Sequence, residues 1–399
     1  MNRKIVHTPI GELVSKVSTW DPIRAPTNVV FRYVDISSVD QEAKVVREVQ
    51  QIRSHEAPSR ARQLVRQNDV LVSTVRPNLN AVAILPDDLA GATASTGFCV
   101  LRAKPDVLFP PYLFYWVRSP TFIRDMTSKA TGASYPAVTD GTICDSRIPL
   151  PPLSEQKRIA AILDKADALR RKRQQALQLT EQFLRSTFLD MFGDPVSNPK
   201  KWPVVEASEV LEGMQYGTSE RCSDSRIADA MPVLRIPNIL HGVVNRNDLK
   251  YATLTQAETD SLLLRPGDIL FVRTNGNPQY IGRCAVFEAG EPTLFASYLI
   301  RARVKPSVGC RVAYFRDCIS FPTYRGVIVK EARTTAGNYN ISTRGLRQLR
   351  LALPPLDVQD RYLAIVNRTE NLLAVLRKEL DIADNFFHSL VQRAFRGEL

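Results

Sequence analysis

The chain has 399 residues, more than a single hydrophobic core usually organises, with 44% apolar and 24% charged side chains, an ordinary globular composition. Fifty-three basic against 41 acidic side chains give a formal charge of +12 and a pI near 9.5, so the expected partner is polyanionic, nucleic acid above all. No apolar run approaches the roughly 20 residues of a bilayer span and no signal-peptide pattern opens the chain, which excludes a membrane protein and leads to the expectation of a cytoplasmic one.

Six cysteines (Cys99, Cys144, Cys222, Cys284, Cys310, Cys318) lack any C-x-x-C spacing and read as reduced thiols. His7, His55, His241 and His388 are scattered, so no metal ligand set is expected.

Residues 1–149 are strand-rich, with short β-prone runs at Val70–Val75 and Phe98–Arg102 and a helical stretch near Pro111–Lys129. After the first run the loop Arg76-Pro-Asn78-Leu-Asn80 offers the side chains that read base edges, with Arg76, Asn78 and Asn80 as candidates. Thr131-Gly-Ala-Ser134-Tyr135 sets small hydroxyl residues beside an aromatic, a composition suited to phosphate contact through Thr131, Ser134 and Tyr135. Each such residue has an ordinary alternative, a turn position for the asparagines and domain packing for the tyrosine.

Leu150-Pro-Pro-Leu153 then launches a stretch free of proline and glycine until Gly193, with Ser154 placed to serve as N-cap. At 1.5 Å per residue such a helix of about 38 residues would reach roughly 57 Å. Ile159, Leu163, Ala166, Leu177, Thr180, Leu184 and Met191 form a 4-3 seam that Arg170 and Arg173 interrupt. The basic run Arg170-Arg-Lys-Arg173 suits either a DNA-facing side or a solvated helix face.

Residues 194–352 repeat the first domain. Phe31–Ile36 corresponds to Leu234–Ile239, Asn68-Asp69-Val-Leu71 to Gly267-Asp268-Ile-Leu270 and Lys104-Pro105 to Lys305-Pro306, at offsets between 199 and 204. Strand-prone runs recur at Ile269–Arg273 and Tyr298–Arg303, and a helical stretch at Cys310–Lys330. Candidate base-reading residues here are Arg273, Asn275, Asn277, Gln279 and Tyr280, with Thr335, Asn338, Tyr339 and Asn340 as the counterpart of the Thr131 loop. Leu353-Pro-Pro-Leu356 opens a second long helix with Asp357 as the expected cap and Asp360 at the capping-box position. Its seam runs Tyr362, Val366, Thr369, Leu373, Leu376, Leu380, Ala383, Phe387, Leu390, Ala394. Gln156, Arg158 and Ile162 recur as Gln359, Arg361 and Ile365, all at an offset of 203. A period this long is a tandem duplication and not a solenoid. The expected fold is α+β: two α/β domains, 1–149 and 194–352, separated by helices 150–193 and 353–399 that pair antiparallel about a pseudo-two-fold axis.

The chain lacks a G-x-x-x-x-G-K-[ST] loop, a G-x-G-x-x-G turn and the N-P-P-[YF] element that amino-methyltransferases use to hold a target amine. It is expected to recognise without catalysing.

Two unlike domains alternating with long helices, each introduced by L-P-P-L-x-x-Q-x-R, resemble the specificity (S) subunit of type I restriction-modification enzymes along nearly the whole chain. Pro149–Ile159, Met191–Asp194, Gln215-Tyr-Gly-Thr-Ser219 and Pro266–Leu270 carry the resemblance; Asp357-Val358 departs from it where the first copy has Ser154-Glu155. The resemblance implies a non-catalytic subunit whose two target recognition domains each read one half of a split DNA sequence. It implies helices that act as spacer and docking platform, with Gln156, Arg158, Gln359 and Arg361 as docking candidates. Two methyltransferase (M) subunits using S-adenosylmethionine would attach to one S chain, joined by restriction (R) subunits using ATP and Mg; the chain itself would hold no cofactor. Because the domains match only in scattered positions, the half-sites are expected to differ. A stand-alone DNA-binding protein is the alternative.

Overall fold

Each Leu-Pro-Pro-Leu segment opens a long helix in the computed structural model, which describes residues 6–25, 29–240, 242–335 and 337–399. Helix α1 spans Leu153–Phe192 and helix α2 Leu356–Arg396, 40 and 41 residues. Both begin one residue before the expected caps. The Pro152 carbonyl accepts from the amides of Glu155 (2.8 Å) and Gln156 (3.0 Å), and the Pro355 carbonyl from Val358 (3.1 Å) and Gln359 (3.2 Å). Ser154 and Asp357 therefore lie inside the first turn and are not caps. Asp360 does not close a capping box either; it takes a two-pronged ion pair from Arg311 at 2.6 and 2.8 Å.

A buried glutamine anchors each helix start instead. Gln156 accepts from the Phe109 amide (2.9 Å) and donates to the Val107 (3.0 Å) and Pro151 (2.9 Å) carbonyls. Gln359 accepts from the Arg311 amide (2.8 Å) and donates to the Gly309 (2.8 Å) and Pro354 (2.7 Å) carbonyls. One side-chain amide thus satisfies an N–H and two carbonyls that the prolines and the turn leave open.

The chain divides into two compact units that share the long helices: residues up to Leu177 together with Val375–Leu399, and Gln178–Ala374. Inside unit 1, Ile159 and Leu163 of α1 join Phe387, Leu390, Val391, Ala394 and Phe395 of α2 in one core. Inside unit 2, Phe188 and Phe192 of α1 meet Tyr362 and Val366 of α2. The first half of one helix thus packs on the last half of the other, an antiparallel pair, with burial of each large apolar side chain contributing roughly 1.5–3 kcal/mol. Arg170 and Arg173, which break the apolar seam, face acidic partners across it: Asp384 at 3.5 Å and Glu379 at 3.7 Å.

Unit 1 contains two four-stranded sheets, ordered Gln50–Arg53, Val30–Val34, Thr93–Ser95, Ala61–Leu64 and Val14–Ser15, Phe98–Ala103, Val70–Ser73, Val82–Ile84. Unit 2 has a six-stranded sheet in the order Leu211–Tyr216, Leu299–Val304, Ile269–Val272, Cys284–Val286, Gly242–Val244, Ile239–Leu240. In both, the repeated central strand pair is antiparallel: Phe98 opposes Ser73, and Leu299 opposes Val272. Its strand begins at the repeated Asn/Gly-Asp step because Asn68 (φ 66°) and Gly267 (φ 91°) supply a left-handed residue. The following aspartate then closes the turn, Asp69 on the Arg66 amide (2.7 Å) and Asp268 on the Arg265 amide (2.9 Å), and pairs with Arg102 (2.7 Å) or Arg303 (2.6 Å) on the neighbouring strand. Tyr112 and Tyr314 repeat the same anchoring, donating to the Pro149 (2.8 Å) and Ala352 (2.6 Å) carbonyls.

Each expected helical stretch resolves into two helices. Pro110–Val117 stops where Ser119 caps a new helix, Pro120–Lys129, with proline at its first position; in unit 2 the break falls between Val312–Ser320 and Tyr324–Glu331, after Phe321-Pro322. No helix of the described residues is long and apolar enough to cross a membrane.

Candidate nucleic-acid interface

The loop that follows the central strand in each unit is joined by main-chain pairing to the loop that precedes the long helix. In unit 1 the amide of Arg76 donates to the Pro136 carbonyl at 2.7 Å, Val75 bridges to Ala137, and Thr131 exchanges hydrogen bonds with Ala137 at 2.9 Å. In unit 2 the junction is a three-stranded sheet in which Thr274–Asn275 and Arg333–Thr335 flank Asn338–Asn340, Asn275 opposite Tyr339. Segments some 60 residues apart in sequence therefore form one surface per unit.

Arg76, Asn78, Thr131, Ser134 and Tyr135 are exposed on that surface, and so are Asn277, Gln279, Tyr280 and Asn338. Arg273, Asn275, Tyr339 and Asn340 are half-buried, Thr335 ends its strand, and Ala336 of the same motif lies outside the described residues. Asn80 departs from expectation. Its side chain is buried, donates to the Val117 carbonyl at 2.8 Å and receives the Lys44 ammonium, so it braces the loop from below and presents no edge to a ligand. Burial, followed by the fields of Arg118 and Arg170, lowers the Lys44 pKa to about 8.

Two arginines on this surface lie over aromatic rings. The Arg76 guanidinium sits 4.7 Å from the Tyr135 ring centre, with Tyr135 69% exposed. The Arg273 guanidinium sits 4.5 Å from the Tyr216 ring centre. Tyr339, the sequence counterpart of Tyr135, instead packs against the unit 2 core. The packing alternative thus holds for Tyr339, whereas Tyr135 faces solvent.

Sequence reasoning missed Tyr216, Tyr298 and Arg325. Tyr216 lies in the Gln215–Ser219 motif but had no assigned partner. Tyr298, 57% exposed, offers its carbonyl to the Arg273 amide at 3.0 Å. Arg325 donates to the Pro278 carbonyl at 2.7 Å and holds the Asn277–Tyr280 loop; burial, then the nearby Arg283, lowers its pKa. The sequence hints were the Gln215–Ser219 motif for Tyr216 and the start of a β-prone run for Tyr298.

The docking candidates separate into two kinds. Gln156 and Gln359 are buried and fully engaged with backbone, which leaves no side-chain face for a partner. Arg158 and Arg361 are exposed; Arg158 pairs with Glu155 at 2.6 Å and donates to the Leu399 carbonyl at 2.7 Å, and Arg361 lies 4.0 Å from Asp357. The basic run on α1 is largely neutralised. Arg170 (2.9 Å) and Arg171 both pair with buried Asp167, and Arg173 pairs with Glu379. No group of three or more His, Cys, Asp or Glu side chains converges on a metal position among the described residues; His241 lies outside them.

Residues 54–179, which include both unit 1 loops and the first half of α1, match the family model of the type I restriction modification DNA specificity domain. The chain is 26% identical over 327 residues to the type I restriction enzyme EcoKI specificity subunit of Escherichia coli K12, covering 76% of this chain and 68% of that one. The StySPI specificity subunit of Salmonella potsdam is 24% identical over 335 residues, with the same coverage. A chain solved in a study of complex assembly and conformational transition of the type I R-M system superposes over the full length of both, with a TM-score of 0.57 and 25% identity. The type I restriction-modification S subunit from M. genitalium shares the fold over 99% of this chain and 97% of its own, TM-score 0.58, at 13% identity. The chain is thus similar to type I specificity subunits in sequence and in fold. Specificity subunits are the non-catalytic DNA-recognition component of type I restriction-modification systems.

Proposed function

We propose that this specificity subunit reads a bipartite, asymmetric DNA target, with one half-site for the loop surface of each unit, and docks methyltransferase (M) and restriction (R) subunits on its helices. The observation that carries the reading is the pair of composite loop surfaces. Each is assembled after the same strand, yet one presents Arg76, Asn78, Thr131, Ser134 and Tyr135 and the other Arg273, Asn275, Asn277, Gln279 and Tyr280. Equivalent placement with different side chains supports two different half-sites. Segments 1–149 and 194–352 would serve as recognition domains and the helical segments 150–193 and 353–399 as spacers.

Docking draws support from apolar side chains that the units leave exposed at matching positions. Unit 1 exposes Leu169, Ile382 and Phe386, and unit 2 exposes Leu372, Leu179 and Phe183, each pair offset by 203 residues. Duplicated apolar positions fit two copies of one partner, the methyltransferase subunit that would use S-adenosylmethionine to methylate adenine. Flipping the adenine from the stack would fall to that partner, while Lys and Arg contacts to phosphate supply salt-dependent affinity here.

Sequencing the host genome for methyladenine, with and without this gene, tests the reading. Loss of one split, asymmetric motif on deletion is the expected result; an unchanged methylome would refute it.

A further inference from the structure

Resting on that reading, we propose that Arg76 and Arg273 are the guanine-reading residues of the two half-sites, each held edge-on by the tyrosine beneath it. A guanidinium presents five N–H donors in one plane, and its fork matches the O6 and N7 acceptors of guanine in the major groove. A free arginine on a loop must give up rotamer freedom to make that contact, whereas one stacked on an aromatic face has its plane already fixed and keeps its edge outward.

Both residues meet this requirement by different constructions. Arg76 has left-handed backbone, φ 50°, an uncommon state for a residue with a side chain. Its amide is tied to Pro136 at 2.7 Å and its carbonyl to the Leu79 amide at 2.9 Å, so the conformation is held from both sides and the side chain is delivered onto the Tyr135 ring. Arg273 is fixed through its amide on Tyr298 and its carbonyl on the Ile341 amide (2.9 Å). Its stacking partner Tyr216 is itself pinned, because the Thr343 amide donates to the phenol oxygen at 3.3 Å.

The tyrosines come from non-equivalent places, the loop before α1 in unit 1 and the strand Leu211–Tyr216 in unit 2. The duplicated ring, Tyr339, is packed inward, and a different tyrosine takes over the stack. The same arginine–aromatic arrangement reached from unrelated chain positions points to a demand at the surface and not to inheritance of a loop. No acidic side chain pairs with either guanidinium among the described residues. The Arg273 Nε is buried without a hydrogen-bond partner, and besides the ring contact its Nη1 makes a long one, 3.4 Å, to the Ser297 carbonyl. The terminal amino end of the Arg273 fork is therefore the part left to meet a base.

The test selects binding sites for the full-length chain, purified with its accompanying subunits, from a library of random duplex DNA. Wild type, Arg76→Lys, Arg273→Lys and Tyr216→Leu are compared, and wild type is then measured on its selected site with 7-deazaguanine at single positions. Lysine keeps the charge and loses the fork. The expected result is that Arg273→Lys erases the preference for one guanine in one half-site and Arg76→Lys for one guanine in the other. Each loss is about 10- to 100-fold, with the remaining half intact. Tyr216→Leu should weaken the same position as Arg273→Lys, and removing N7 from that guanine should reproduce the loss with wild type. Variants that keep the full motif, or weaken every sequence equally as phosphate contacts would, overturn the guanine assignment and leave the recognition role standing. A wild-type protein that enriches no split motif overturns the recognition role itself.

Discussion

Arg118 and Asp167 form a two-pronged ion pair at 3.2 Å per contact, with side chains only 5% and 1% exposed, joining the loop after helix Pro110–Val117 to the middle of the first half of α1. Arg170 and Arg171, one turn along α1, add two further guanidinium groups to the same carboxylate. Burial alone would raise the Asp167 pKa, but the charge of Arg118 and its hydrogen bonds, with Arg171 and Arg170, outweigh it and hold the group at about 2.

Since that value lies below the ordinary 3.8 of the unfolded chain, the folded state binds fewer protons than the unfolded state as pH falls. The contribution, on the order of 2 kcal/mol, is complete above about pH 5 and is lost as pH drops through 4 towards 2. Asp167→Asn should therefore destabilise unit 1 by about 3 kcal/mol at pH 7, because three arginines lose their counter-charge. Urea midpoints of variant and wild type should draw together as pH falls below 4 and meet only below about pH 2. A gap of unchanged size at low pH would show that the carboxylate charge is not what stabilises the unit.

Gln156 and Gln359 make the same three hydrogen bonds in the two units. Truncation to alanine strands an amide and two carbonyls in a buried place, at roughly 1–3 kcal/mol per group and less than additively, so about 3–5 kcal/mol is expected from either change. Glutamate should do no better, because it can accept from the amide but offers no donor to the two carbonyls. Differential scanning calorimetry of Gln156→Ala and Gln359→Ala would report it. Near-identical thermograms to wild type would mean that the bonds are made to water just as well.

These glutamines also show where sequence reasoning stops. Their spacing and repetition mark them as important, but a residue repeated for internal anchoring and one repeated for docking give the same pattern. Only burial separates them. The long helices, their antiparallel pairing and the duplicated α+β order were legible because apolar periodicity and turn residues are local signals. Arg170 and Arg173 interrupt the apolar seam in the sequence, and their partners Asp384 and Glu379 come opposite only through helix pairing, a relation that neighbouring residues do not encode. The loop candidates were legible as clusters, since Arg, Asn and Tyr stand in turn-rich segments. The Arg273–Tyr216 stack was not, because the two residues are 57 positions apart.

Gly217 follows that tyrosine, and a Cβ built there would lie 2.0 Å from the Phe295 carbonyl oxygen, a backbone atom that cannot swing aside. Gly217→Ala must displace the strand containing Leu294–Phe295 or the segment carrying Tyr216. A loss of at least about 2–3 kcal/mol in unit 2 is expected, in the range of overpacked cores, together with weakened DNA binding at one half-site. Full retention of both would show that the Phe295 strand moves aside without loss of stability or binding.

The exposed apolar side chains give the last prediction. Phe183 is 53% and Phe386 56% exposed, so neither supports a core, and replacing either by glutamate should change stability by no more than about 0.5 kcal/mol. If each unit docks one methyltransferase copy there, a buried carboxylate at the contact is costly, by several kcal/mol when unpaired. Phe183→Glu and Phe386→Glu should each reduce the assembly from two partner copies to one, and the double variant should bind none. Native mass spectrometry of the co-expressed subunits counts the copies directly, and DNA selection by the same preparations should return the wild-type motif wherever binding persists. Two copies retained in the double variant would move the docking surface away from these positions, with Arg158 and Arg361 next to be replaced.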